Sequence, residues 1–375
     1  MNTYVDIHII QSVPPSCVNR DDSGSPKSAV YGGVRRLRVS SQSWKRATRL
    51  HFADHLTTEH LGIRTKRVVE VLANEIRLQA PELTETADTL AEGVFKAAKI
   101  KLSAAQGRKD APQESGYLLF LSQSQVSRLA SLVIASTRSG DSLDAKKVKE
   151  IFKEDHAVDV SLFGRMVADD ADLNVDAACQ VAHAISTHAA ENEYDFFTAV
   201  DDAKASSDEE DAGAGMMGTV EFSSATLYRY ATVNVVMLRK NLGTTRATLQ
   251  ALEAFIDGFC LSMPTGKQNT FANRTLPDTI LVTIRQGQPI SLVDAFEKPI
   301  AADATLGYLN RSVQALAKQA VILEESYGLK SLRKLVVSMQ NPEIADSLGE
   351  RISFTDLASR VRETVEPLLP EQEQD

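Results

Sequence analysis

The chain has 375 residues, 43% hydrophobic and 24% charged, an ordinary globular mix with length enough for one large domain or two smaller ones. A net charge of -9 argues against indiscriminate coating of nucleic acid, but it permits one local groove for a polyanion. Three scattered cysteines, Cys17, Cys179 and Cys260, exclude a disulfide framework or a CxxC metal site.

The opening residues, MNTYVDIHII, lack a basic segment followed by a long apolar run, so no signal peptide is expected. No stretch approaches the roughly 18 apolar residues of a membrane helix. The expectation is a soluble, cytoplasmic protein without membrane contact. Residues 4–10 alternate, with Val5, Ile7 and Ile9 on one side and Asp6 and His8 on the other, which predicts a strand with one buried face. Residues 11–34 read as a long turn-rich loop. VRRLRVS reads as a short strand, and SQSWKRATRLHFADHL as a helix with Ser41 or Ser43 near its N-cap.

Residues 64–110 look mostly helical and rather polar. GYLLFLS (116–122) predicts a buried strand and SQVSRLASLVIAS a helix. CQVAHAIST predicts another strand. EYDFFTAVDD and TVEFSSATLYRYATVNVVML predict the arms of a long exposed hairpin, joined by the acidic AKASSDEEDAGAGMMG. Helices over 244–262, 304–325 and 354–367 and strands over 279–285 and 332–339 complete the chain. Strands and helices mix without regular βαβ repetition, so the predicted class is α+β, with an antiparallel sheet core carrying helical and hairpin insertions.

Several motifs fail on context. Gly213, Gly215 and Gly218 spell G-x-G-x-x-G, but an acidic run precedes them and a strand follows, so a flexible turn is the simpler reading. Gly266-Lys267 lacks the remaining P-loop residues. His51, His55 and His60 lie on a wet helix without a ligand framework. Asp208 to Asp211 lack the alternating spacing of a cation loop. No metal or cofactor is expected.

The stretch Gly32–Arg49 carries six cations and no acid. Residues 1–50 are net +5, whereas residues 191–222 are net -9. Where the basic strand gives way to a helix, Ser40, Ser41, Gln42 and Ser43 add donors to a helix start whose N–H groups are unpaired and partly positive. Lys45 and Arg49, four apart, share a face. This combination suits consecutive phosphates. Asp21 and Asp22, in NRDD, offer a carboxylate beside such a groove. They could hold a divalent ion for phosphodiester cleavage, or they could simply cap a loop turn.

The blocks PPSCVNRDD…YGGVRRLRVSSQSWKRATR, SLFGRMVADD…LNVDAACQVAHAISTHAAENEYDFFTAVDD, GTVEFSSATLYRYATVNV and VDAFEKPI resemble the CasC family, backbone subunits of type I-E CRISPR Cascade complexes in the RAMP superfamily. The resemblance implies an RRM-like (ferredoxin-like) palm, a helical fingers region and a thumb hairpin. It places palm at 1–60, fingers at 61–155, palm again at 156–192, thumb at 193–223, and palm with C-terminal helices at 224–375. It implies a non-catalytic subunit that oligomerises head to tail along a CRISPR guide RNA and kinks it at regular intervals. The guide is thereby presented for pairing with target DNA in antiviral defence, beside other Cascade subunits and a recruited helicase–nuclease. The RNA-binding residues would be Arg20, Lys27, Ser40, Gln42, Lys45, Arg46 and Arg49. Met166, Phe197 and Met217 would be wedges, although each read alone suits core packing. The chain lacks an RNP1-like GFGFV motif, so aromatic sheet-face readout is not supported. A metal-dependent RNase using Asp21 and Asp22, or a stand-alone RNA chaperone, are the competing functions.

Overall fold

The computed structural model describes residues 1–105, 107–108, 111–199, 216–305, 307–340 and 342–369. The chain opens with β1 (Thr3–Ser16), β2 (Ser28–Tyr31) and β3 (Val34–Val39), followed by α1 (Ser41–His51). Next come β4 (Gly62–Thr65), α2 (Val68–Gln79), α3 (Ala87–Ala97), β5 (Leu102–Ser103), β6 (Glu114–Ser115), β7 (Leu119–Ser122), α4 (Gln123–Ser139), α5 (Ala145–Lys153) and α6 (Val158–Phe163). The chain returns through β8 (Cys179–Val181), β9 (Ala184–Ser186), β10 (Glu193–Ala199) and β11 (Met216–Asn234) to α7 (Val235–Leu242), α8 (Thr245–Leu261) and α9 (Gln268–Phe271). It ends with β12 (Thr279–Gln286), α10 (Leu309–Tyr327), β13 (Arg333–Ser338), α11 (Pro342–Leu348), β14 (Glu350–Arg351) and α12 (Phe354–Val365).

The class is α+β. One large sheet runs in the order β14-β13-β12-β1-β11-β9-β3-β2, with β8 and β10 also paired to β11. Its described pairs are antiparallel except β13–β14. β1 is central, with Ile7 opposite Ala231 on one side and Val282 on the other.

β1 continues well beyond residue 10, and both of its faces are buried, which corrects the reading of one buried face and a loop from residue 11. Val5, Ile7 and Ile9 pack into a core with Leu252 and Phe255 of α8 and with α12. On the other face Ile10, Tyr228 and Tyr230 meet Val313 and Leu316 of α10. Asp6 and His8 share that second face and are fully buried. Asp6 pairs with Arg285 at 3.0 Å and accepts from the Tyr230 hydroxyl, while His8 Nδ1 lies 2.9 Å from Tyr228 Oη. Polar groups that satisfy one another can lie inside, so alternation read as exposure.

Residues 68–152 supply most of a second core, including Leu72, Ile76, Phe95, Leu129 and Phe152. Its helices are amphipathic, so the polar composition of 64–110 describes only their outer faces. The expected strand at CQVAHAIST is two short strands, β8 and β9, broken at Ala182-His183. β11 ends at Asn234, whose side chain caps α7, so VVML is helical rather than extended. Among the described residues no helix is long and apolar enough to cross a membrane.

Candidate nucleic-acid interface

α1 forms because its apolar residues share one face: Trp44, Ala47 and Thr48 are buried. Trp44 stacks on the buried Arg229, 3.7 Å from its ring centroid. Lys45, Arg46 and Arg49 therefore point elsewhere. The N-cap is Ser40, not Ser41 or Ser43, and its Oγ accepts from the Ser43 N–H at 3.3 Å. Ser40 itself is buried, with its N–H donating to Asn19 Oδ1. The Ser41 N–H donates to His183 Nδ1 at 3.0 Å. Burial and then Arg38 and Lys27 push the His183 pKa down, which keeps the ring neutral and able to accept. Two of the helix-start N–H groups expected to meet phosphate are thus used inside the protein, and the anion-binding capacity moves to the side chains.

α1 separates two cavities, and Arg46 lines both. One, about 500 Å³, is bounded by Gln42, Lys45, Arg46, Arg49, Arg64 and the rings of Phe120 and Phe163. The other, about 760 Å³, is bounded by Arg20, Asp21, Asp22, Ser43, Arg46, His51 and Arg274. Lys45 Nζ lies 5.6 Å from the Phe163 ring centroid and Arg49 Cζ 5.0 Å from that of Phe120. The rings thus sit under the charged heads themselves, and the outer side of each head remains available to an anion.

The six cations of Gly32–Arg49 do not all face solvent. Arg36 is fully buried and donates to the carbonyls of Tyr31, Ser186, Phe296 and Glu297. It knits β3 to β9 and the 296–297 turn. Arg38 donates to Ser28 O. Arg49 is paired with Asp159. Lys27 lies in the turn beside β3, its carbonyl accepting from the Arg38 N–H, and Arg20 is exposed in the second cavity.

Met166 is 78% exposed. It follows Gly164, at φ +80°, where an added Cβ would sit 2.9 Å from Val175 O. Its neighbour Arg165 is buried and donates to Leu173 O, Phe120 O and Phe152 O. The Arg165 and Val175 backbones also exchange two hydrogen bonds. A pinned arginine thus presents an apolar side chain to water beside the smaller cavity, which Gly164 lines.

The β10–β11 arm pairs Phe197 with Gly218 and Thr198 with Met217. Phe197 is half-buried because its ring covers Gly218, where a Cβ would come within 2.7 Å. Met217 is exposed and shares the opposite face with Tyr194 and Phe196, both exposed as well. Asp208 to Asp211, Gly213 and Gly215 lie outside the described residues.

Asp21 is committed to its own turn. One oxygen accepts from the Ser23 hydroxyl and from the Ser23 and Ser25 N–H groups, and the Ser23 hydroxyl leads in holding its pKa below the usual carboxylate value. The His51 and His55 rings stack at 5.0 Å. Among the described residues no group of three or more His, Cys, Asp or Glu is placed to hold a metal.

Comparison with known proteins follows the same outline. None of the curated proteins matches. One similar solved chain belongs to a structure titled "CRISPR RNA-guided surveillance complex, pre-nicking". It is 35% identical with a TM-score of 0.86, over 96% of this chain and 99% of that one. Another, titled "CRISPR RNA-guided surveillance complex", is 29% identical with a TM-score of 0.76, over 96% and 99%. The family described as CT1975-like protein matches residues 5–360. The chain belongs to the CT1975-like family. The match covers the same span, nearly the whole chain, as the resemblance carried by the separate sequence blocks.

In this CT1975-like chain the sequence reading missed Arg64 and Arg274, which line the two cavities from β4 and from the segment after α9. Arg274 stands in no basic run, whereas Arg64 opens the short run Arg64-Thr65-Lys66-Arg67, which was the available signal. The backbone around α9 did carry a signal: Gly266 lies where a Cβ would come 2.1 Å from Val18 O, and Lys267 and Ala272 both take positive φ of 46°. Strain of that kind in a non-glycine residue clusters at functional loops. Asp159 lies outside any basic run, and nothing in the local sequence ties it to the cationic groove that it meets through Arg49.

Proposed function

We propose that the chain is a non-catalytic, guide-RNA-binding backbone subunit of a Cascade-type CRISPR surveillance complex. An RRM-like palm would carry the sheet, residues 61–155 would form the fingers and the β10–β11 arm the thumb. The observation that carries the reading is the cationic groove along α1, floored by Phe120 and Phe163 and lined by Gly164, two residues before the arginine-pinned Met166. It occurs in a chain that matches, over 96% of its length, one from an RNA-guided surveillance complex. Side-chain cations without base-reading geometry suit phosphates, which carry no direct sequence information. Lys45, Arg46 and Arg49 would grip the backbone with Gln42, and Arg20 and Lys27 would extend the track, whereas Ser40, expected from the sequence to join them, is buried as the N-cap of α1.

An exposed thioether is polarisable and packs on any base face, so Met166 would displace a nucleotide without reading it. Displacement costs a few kcal/mol of stacking; a thioether contact with the base, worth roughly 0.3–1.5 kcal/mol, offsets part of that, and the backbone grip supplies the rest. Met217, with Phe197 bracing the arm behind it, would act from the thumb. Head-to-tail contacts would be heterologous, and such contacts can extend along RNA without closing. The guide segments between thumbs would pair with target DNA, while other Cascade subunits and a recruited helicase–nuclease complete interference. The test is binding to guide RNAs of equal length and scrambled sequence. Equal affinities that fall together with salt are expected, and preference for one sequence would overturn the reading. Parallel incubations of labelled guide and matched RNA or DNA with Mg²⁺ should leave every strand intact; cleavage lost on Asp22→Ala would favour the RNase reading.

A further inference from the structure

A carboxylate beside a phosphate groove repels the ligand, so its presence requires a reason. Asp159, on α6, is 2% exposed. Its Oδ2 lies 3.2 Å from Arg49 Nε, and its Oδ1 accepts from the Gly62 N–H at 2.9 Å and the Val160 N–H at 3.1 Å. A Cβ on Gly62 would stand 2.7 Å from both Oδ1 and the Phe120 ring, so the glycine makes room for the carboxylate. Phe120, on β7, lies beneath the Arg49 guanidinium. Carboxylate, ring and guanidinium are thus fixed by three different elements. Asp159 takes the Nε side of Arg49. Among the described residues Arg49 makes no second hydrogen bond or ion pair, so its Nη groups are free toward the cavity that it lines with Lys45 and Arg46.

We propose that Asp159 is a positioning residue for guide binding: it orders Arg49 in advance, so that the Nη edge meets one backbone phosphate. The inference rests on the guide-binding function proposed above. A guanidinium on a flexible stem loses rotamer freedom when it binds, and a partner that orders it beforehand removes that cost. The sign of one substitution separates this from simple electrostatics. Asp159→Asn removes a negative charge from the groove, so Coulomb attraction alone predicts tighter RNA binding. Positioning predicts weaker binding, by about three- to tenfold, the scale of ordering one long side chain.

The experiment measures affinity and salt slope for an end-labelled CRISPR guide RNA with full-length wild type, Asp159→Asn, Arg49→Ala, the double variant and Lys45→Ala, each checked for folding by circular dichroism. Asp159→Asn should weaken binding and reduce the salt slope as Arg49→Ala does. The double variant should bind no more weakly than Arg49→Ala. If Lys45→Ala weakens binding while folded Asp159→Asn binds as tightly as wild type or more tightly, the positioning role is overturned and the guide-binding reading stands. If neither Lys45→Ala nor Arg49→Ala changes binding, the groove is not the guide site and both ideas fall. Should Asp159→Asn fail to fold, Arg49→Lys decides: it keeps the charge but loses the two-nitrogen Nη edge, so it should weaken binding, and wild-type affinity would overturn the proposal.

Discussion

Arg165→Met isolates the pin beneath Met166. The arginine is 5% exposed and donates Nε to Leu173 O at 3.0 Å, Nη1 to Phe120 O at 3.3 Å and Nη2 to Phe152 O at 2.6 Å. Burial lowers its pKa to about 10, which leaves it charged at neutral pH. Methionine refills the stem but donates nothing, so Leu173 O and Phe120 O lose their side-chain donor, while Phe152 O keeps Gln125 Nε2 at 3.1 Å. A buried group left unsatisfied costs about 1–3 kcal/mol. Relief from burying a cation offsets part of the sum for the two carbonyls, which leaves a loss of about 1–4 kcal/mol against a total stability of about 5–15 kcal/mol. Urea denaturation should show a lower midpoint at unchanged slope. Met166→Ala, one residue away, should stay within about 0.5 kcal/mol of wild type because the side chain is exposed. Both variants should relax the displaced nucleotide, seen by a fluorescent base at the kink position. A loss below about 1 kcal/mol for Arg165→Met would show that the carbonyls do not depend on the arginine and would refute the pinned-loop argument.

Lys45→Ala should weaken all guides alike and lower the salt slope by about 0.7, one phosphate's worth on single-stranded nucleic acid; titrations at several salt concentrations check it, and selective loss for one guide would contradict it. His156 is held neutral chiefly by burial, its pKa lowered to about 4, with Nδ1 3.3 Å from Gln125 Nε2. The unfolded chain therefore takes up the proton first, and up to roughly 3 kcal/mol is lost as pH falls from about 6.5 to about 4. Asp159, raised to about 6 mainly by burial, acts in the opposite direction. The readout is accordingly the difference between wild type and His156→Gln, whose acid dependence should be shallower. Gly62→Ala forces a Cβ to 2.7 Å from Asp159 Oδ1 and the Phe120 ring, and should cost about 1–3 kcal/mol by thermal or chemical unfolding.

The sequence carried the elements well where periodicity and burial agree. The helix at 244–262 is α8, Thr245–Leu261, and the strand at 279–285 lies within β12. It failed where polar groups pair inside. Asp6 and His8 alternate with Val5 and Ile7 like solvent residues, yet partners more than 200 positions away bind the Asp6 carboxylate and His8 Nδ1. The groove shows the same divide. A run of cations marked α1, but local sequence cannot tell Arg36, which binds four carbonyls, from Arg46, which lines both cavities. Arg64, Asp159 and Arg274 meet α1 only through tertiary contact. The exposure of Met166 depends on a buried arginine beside it, a feature that apolar character alone argues against.

The central claim is that copies of this chain line a guide RNA at a fixed spacing and displace one nucleotide per copy. It is tested most directly by assembling the protein on a CRISPR guide and mapping nuclease protection and base reactivity along the RNA. The account predicts protection along the spacer interrupted by single reactive nucleotides at a constant interval, with those nucleotides losing their distinct reactivity in the Met166→Ala assembly. Uniform reactivity along the wild-type assembly, or reactive positions that follow guide sequence instead of spacing, would contradict it.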